Sequence, residues 1–315
     1  MANRYAVATG NWSNAATWDG GASIPANGDT VRPNGFTVTI DQNIGAVGAV
    51  TELRNDAGGG AVASGSFSVT GAYTLYANIT GGSTVAVCTF SNSAGVTVTV
   101  IGNITGGSGF NGNNVVFSGG GTLNITGNIT GGSAGSSANG LAVTGTGTLN
   151  ITGNILIAVG SAYGGYGLTV TGNATINITG NVTAGTGLTS QAPAVINTTN
   201  GNVTITGDVS GSTGTTASHG INASGNITVN GDVTAGSPTN CYGINQQGGT
   251  LTLNCTTISA SGSNPAVNST STGNTFLGSS VTTLTASSSG TFPVIARNLI
   301  KPYIVTGKQI GRAHV

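Results

Sequence analysis

Charge is what this sequence has least of. Seven basic and seven acidic side chains make up 4% of its 315 residues, where an ordinary globular domain carries about 25%. With a net charge of zero there is no field to draw in nucleic acid or an anionic membrane surface, so neither is an expected partner. Cysteine is scarce as well. Cys88, Cys241 and Cys255 are odd in number and match no zinc spacing; Cys88, in phase with Phe90, and Cys255, in place of a repeat glycine, read as small buried apolar fillers, with neither a disulfide nor a metal implied. No apolar run approaches the roughly 18 residues of a membrane span. The opening MANRYAVATGNW lacks the apolar core of a secretory signal. Read from Met1, the chain is expected to be made in a cytoplasm. Low charge combined with 37% hydrophobic residues is not the disordered signature, which needs high net charge and few apolar residues.

Glycine is abundant, at 56 residues, and so is repetition: GTLNITGNITGGS at 121–133 returns as GTLNITGNILIAVGS at 147–161. The element Gly-Asn/Asp-Ile/Val recurs at Gly102, Gly127, Gly153, Gly180, Gly207 and Gly231, in steps of 25, 26, 27, 27 and 24 residues. Weaker copies at Ala77-Asn78-Ile79, Cys255–Ile258 and Val281–Leu284 bring the anchors to nine. A fixed period of this length means a solenoid or a propeller, and a propeller blade needs about 40–50 residues.

Within a unit, Leu123, Ile125 and Ile129 alternate with Asn124, Thr126, Asn128 and Thr130, the pattern of a half-buried strand. The same apolar places recur as Leu149, Ile151 and Ile155, as Ile176, Ile178 and Val182, and as Val203, Ile205 and Val209. Stacked in register, they form continuous internal columns. One coil cannot bury its own apolar face, and an identical neighbour completes it. The expected fold is therefore all-β, a single-stranded parallel β-helix of 24–27 residues per coil with two or three short strands in each. Right-handedness follows from the statistics of parallel crossovers. Like charges stacked one strand apart repel, whereas Thr and Asn stack without penalty and amides hydrogen-bond along a ladder. That accounts for the missing charge. The anchor glycine is expected at an inward phase, where a side chain would crowd the bend.

Three segments follow. Residues 1–45 hold Trp12, Trp18, Pro25 and Pro33 and suit an N-terminal capping or attachment module, since a solenoid exposes its core at each end. Residues 46–290 are the β-helix repeats. Residues 291–315 carry four of the seven basic residues and read as a last coil or a partial C-terminal segment. The final IGRAHV, 310–315, resembles the translation of a sequencing-library adapter and is set aside.

The segment GNWSNAATWDGGASIPANGDTVRPNGFTVTIDQNI runs through NW, ATW, a Gly-rich turn, a Gly-Asp-x-Val element and a TVTID strand. This order resembles the start of phage tail and virion structural proteins, and also the opening of adhesin-like modules in bacterial surface proteins. The resemblance covers roughly the first 45 residues. It implies a fibre component located on a virion, usually trimeric, with itself, other virion proteins or a host surface glycan as partner; the alternative location is a bacterial cell surface.

For chemistry, Asp208 and Asp232 are the only charges between Ala57 and Ala296, and both occupy the anchor motif Gly-Asp-Val in adjacent coils. Stacking places such carboxyl groups about 5 Å apart, the separation of a retaining glycosidase pair. The structural alternative is that Asp replaces Asn at a turn-like site both residues favour. His219, in the SHG turn between those coils, reads as a surface histidine. Tyr163, Tyr166 and Tyr242, in the turns SAYGGYG and SPTNCYG, are the aromatic candidates for stacking on a sugar. No cofactor or metal motif is present. Four functions stay open: a non-enzymatic fibre rod, a surface adhesin, a polysaccharide-active β-helix using Asp208 and Asp232, and an ice-binding solenoid, although Thr126-Asn128-Thr130 breaks a pure Thr-x-Thr grid.

Overall fold

The structure, a computed structural model, describes residues 2–56, 64–82, 86–106, 115–132, 139–156, 166–185, 193–197, 201–212, 219–237, 241–261, 264–269, 275–278, 283–285, 294–296 and 299–300. It is a parallel β-solenoid. Between the two ends, the strands pair in parallel with their equivalents in the coils before and after. Each full coil holds three strands. In one representative coil, Val115–Phe117 forms a third face, Thr122–Thr126 a broad face and Ile129–Thr130 an anchor face. The third face runs through twelve strands, from Gly10–Asn11 to Val294–Ala296. At about 4.8 Å per strand, twelve strands make a stack roughly 50 Å long.

The columns read from the sequence are in register. Ile125, Ile151, Ile178 and Ile205 lie over one another, as do Leu123, Leu149, Ile176 and Val203. On the anchor face Ile79, Ile104, Ile129, Ile155, Val182, Val209, Val233, Ile258 and Leu284 follow one another, so all nine anchors share a single ladder. All twelve core residues expected between Leu123 and Val209 are buried. Full burial of one such side chain stabilises by about 1.5–3 kcal/mol, and it is complete only because the next coil lies on top.

The anchor glycines are constrained by the coil next door, not by an inward phase. Gly127 is half-exposed, with φ at +154°. A Cβ on it would lie 2.1 Å from the Gly102 carbonyl oxygen, and one on Gly153 would meet the Gly127 oxygen at 2.1 Å. Each glycine therefore permits the close approach of the glycine before it. Cys255 stands where the glycine is replaced. Four residues separate Leu253 from Ile258 in its coil, where three separate Val229 from Val233 in the preceding one. The extra residue lets the cysteine turn into the core, where it is buried, as Cys88 is. Burial pushes the thiols of Cys88 and Cys255 up, the latter to about 11, so both stay protonated.

Residues 1–45 are windings and cap at once. Arg4, Val31 and Leu53 precede Ile79 in the anchor ladder, which extends the solenoid three coils upstream of the first recognisable anchor. The exposed edge of the first strand, Asn3–Tyr5, is covered antiparallel by residues 17–19: Val7 N–H donates to Thr17 O at 2.8 Å and Asp19 N–H to Tyr5 O at 2.8 Å. Arg4 latches this segment through Asp19 Oδ1 at 2.8 Å and Ser23 O at 2.8 Å. Trp12 and Trp18 are buried beneath it, edge to face at 4.9 Å, with Trp18 Nε1 donating to Trp12 O at 2.9 Å.

These windings also hold the place where like charges stack. Arg32 sits one coil after Tyr5 on the outer side of the anchor face, and Arg54 follows two residues before Asp56. The Asp56 carboxylate bridges them, with Arg32 Nε at 2.7 Å and Arg54 Nε at 2.9 Å. Burial opposes its charge, but the hydrogen bonds and positive charge of Arg54 and Arg32 outweigh this and hold the carboxyl below its ordinary range. Because the folded value is depressed, the stabilisation is present above about pH 4 and is lost as pH falls through the lower folded value. Asp56→Asn should cost about 2 kcal/mol at neutral pH and flatten the acid limb of a denaturation profile below pH 4; an unchanged limb would show that the bridge contributes nothing.

Candidate functional site

The two candidate acids belong to a side-chain ladder. The residue after each anchor glycine accepts, through its side-chain oxygen, the backbone N–H of its equivalent in the next coil. Asn78 Oδ1 accepts from Asn103 N at 2.9 Å, Asn103 from Asn128 at 2.9 Å, Asn128 from Asn154 at 2.8 Å and Asn154 from Asn181 at 2.8 Å. Asn181 then accepts from Asp208 N at 2.9 Å, and Asp208 from Asp232 N at 2.9 Å. Asp232 ends the run by accepting Thr257 N at 2.8 Å, Thr256 Oγ1 at 2.8 Å and Thr256 N at 3.2 Å. The bond to the next coil is made by the oxygen, and Asp offers the same oxygen as Asn.

The same bonds bear on the charge of Asp232. Burial acts to raise the Asp232 carboxyl, but the Thr257 N–H and the Thr256 hydroxyl and N–H outweigh it and hold the group below the ordinary carboxylate range. A glycosidase pair needs one carboxyl raised so that it can deliver a proton and a second that stays ionised; Asp232, held low, does not supply the raised one. Among the described residues no three His, Cys, Asp or Glu side chains group to hold a metal, and no helix is long and apolar enough to cross a membrane.

The outer surface of the broad face carries parallel neutral ladders. Thr126, Thr152, Thr179 and Thr206 stack, all exposed. Asn124, Asn150 and Asn177 are joined amide to amide, with Asn150 Nδ2 donating to Asn124 Oδ1 at 2.9 Å and Asn177 Nδ2 to Asn150 Oδ1 at 2.9 Å. A second amide ladder, Asn222–Asn245–Asn268, lies on the third face at 3.3 and 3.0 Å. It escaped the sequence reading because its neighbours, INA, INQ and VNS, share little besides the asparagine and a step of 23 residues.

Tyr163 lies outside the described residues. Tyr166 and Tyr242 occupy equivalent places, two residues before a third-face strand, in a column that also holds Pro193, His219 and Pro265. They are three coils apart and do not form one patch. Tyr242 is stacked on His219 at 5.0 Å between centroids with 4° between planes, so one face of its ring is taken. Tyr166 is half-buried against the core. His219 is not a surface residue: it is buried, and its Nδ1 accepts the Tyr242 N–H at 3.2 Å. Asn139 does the same for Tyr166 N–H at 3.1 Å. The histidine is thus an acceptor in a backbone ladder, which a single sequence does not reveal until the place it shares with Asn139 is known.

Burial pushes the His219 imidazole down to about 4. With its folded value depressed, the residue stabilises fully above about pH 6.5, and stability declines as pH falls from there toward 4. The expected loss across that window is on the order of 3 kcal/mol. His219→Asn keeps the acceptor and removes the titration. Urea denaturation between pH 4 and 6.5 should show a flatter dependence for this variant, and parallel curves would refute the assignment.

No protein family, curated protein or solved structure matches the chain.

Proposed function

We propose that the chain is a structural, non-enzymatic rod of a phage tail fibre or virion surface, presenting a neutral hydroxyl and amide surface for assembly or for contact with a host glycan. The observation that carries the reading is the use made of Asp208 and Asp232. Both continue an asparagine ladder and accept backbone N–H groups from the next coil. The chain's two mid-rod carboxylates thus serve the stack, and the Thr and Asn columns leave the remaining outer surface of the broad face uncharged. The resemblance of residues 1–45 to virion structural proteins supports the location, and itself or another virion protein is the partner.

Mass spectrometry of purified particles carrying this gene should recover its peptides in stoichiometric amounts; recovery from the bacterial envelope instead would favour the adhesin reading. Asp208→Asn and Asp232→Asn should fold as the parent does, since the accepting oxygen remains. Glycan cleavage by the parent that either variant abolished would replace the rod with the polysaccharide-active reading.

A further inference from the structure

Asparagine followed by glycine is chemically labile. The glycine nitrogen attacks the asparagine Cγ, the bond from Cγ to the side-chain nitrogen breaks, and ammonia leaves with the proton the glycine amide gives up. Water then opens the cyclic imide at either carbonyl, giving aspartate or isoaspartate. The nucleophile must be free and reachable by base. The sequence has six Asn-Gly pairs, and both residues are described for those beginning at Asn27, Asn34, Asn139 and Asn230.

Three of the four are guarded. Gly35 N–H donates to Ser64 O at 2.8 Å, and Gly140 N–H to Tyr166 O at 2.9 Å. Gly28 is buried inside a turn closed by Asp29 N–H on Ala26 O at 3.2 Å. Gly231 is the exception. In earlier coils the anchor glycine donates to the next coil: Gly102 to Thr126 O, Gly127 to Thr152 O, Gly153 to Thr179 O and Gly180 to Thr206 O, at 2.9 to 3.0 Å. At Gly231 that bond is not made among the described residues. The broad-face strand ends at Val229, and the Asn230 N–H turns back to Ile205 O at 2.8 Å. Asn230 is exposed and Gly231 half-exposed. The Asn230 Oδ1 accepts Asn254 Nδ2 at 3.0 Å, which polarises the carbonyl under attack.

We propose that Asn230 is a site of spontaneous, imide-mediated deamidation. The aspartate product adds a negative charge two residues from Asp232 and one coil after Asp208, the two charges that the sequence carries between Ala57 and Ala296. The isoaspartate product also lengthens the backbone at the corner by one methylene.

The test is peptide mapping of the full chain after incubation, folded, in mildly alkaline heavy-oxygen water. Asn230 should convert about tenfold faster than Asn34 and Asn139, the advantage expected when one guarding hydrogen bond is absent, and the difference should vanish in urea. Asn230→Thr, which restores the residue found at Thr126 and Thr206, should fold and lose the acidic charge variant. Conversion of Asn230 no faster than that of Asn34 and Asn139 in the folded chain would overturn the proposal. So would the same charge variant persisting in Asn230→Thr.

Discussion

Gly153→Val is expected to destabilise the solenoid by roughly 3–5 kcal/mol, the largest effect of any single substitution outside the core. Two costs combine. The backbone stands at φ +152°, a region that β-branched side chains avoid. The new Cβ would also lie 2.1 Å from the Gly127 oxygen and 2.6 Å from its carbon. Neither neighbour can retreat. Gly127 N–H is bonded to Thr152 O at 2.9 Å and Gly153 N–H to Thr179 O at 2.9 Å, so separating one pair of coils breaks the ladder on both sides. Because each coil touches only its neighbours, damage should start locally. Limited proteolysis should cut near residue 153 while the tryptophan-capped windings survive. Thr152→Val, exposed and one residue away, is the control and should be within about 0.5 kcal/mol of the parent. A Gly153→Val protein that melts with the parent would disprove the close approach of the anchor columns.

Trp18→Ala should cost about 3–5 kcal/mol and change how the molecule associates. Trp18 is buried, bonds to Trp12 O and packs edge-on against Trp12, which in turn lies 6.1 Å from the Phe67 ring. Its chain neighbours are the residues that lie along the first strand. Without the anchor, the segment 17–19 is held mainly by the Arg4 latch, and an unpaired edge becomes available to another chain. Light scattering against concentration should show larger species growing in Trp18→Ala than in the parent. Asp19→Asn, which weakens the latch but keeps the indole, should lose only about 1 kcal/mol and associate less. Unchanged scattering and stability in Trp18→Ala would mean that the edge is protected some other way.

The sequence made the middle of the rod readable because identical coils repeat identical letters. Ile125, Ile151, Ile178 and Ile205 could be aligned by eye, and their stacking follows from the requirement that each coil be completed by its neighbour. The first three windings were opaque because Arg4, Val31 and Leu53 lack the glycine anchor, and because Arg54 stands in the column that Thr80, Thr105 and Thr130 continue. The bridge of Asp56 between Arg32 and Arg54 makes that local chemistry tolerable. At the candidate site, the equivalence of Asp208 and Asp232 with the asparagines was legible. The reason for it was not, since a hydrogen bond from a side chain to the next coil's backbone leaves no separate mark in the letters. His219 was misplaced for the same reason: its partner, Tyr242, is 23 residues away.

The anchor ladder carries one more implication. Since every asparagine serves the coil that comes after it, and every apolar stripe is completed by the coil beside it, a whole unit can be inserted or removed between Gly102 and Gly207 without changing the cross-section. Gene duplication of a single 26-residue or 27-residue unit would then lengthen the shaft in quanta of about 4.8 Å. The chain behaves as a ruler, with its reach written in the number of its repeats and its two extremities left unaltered.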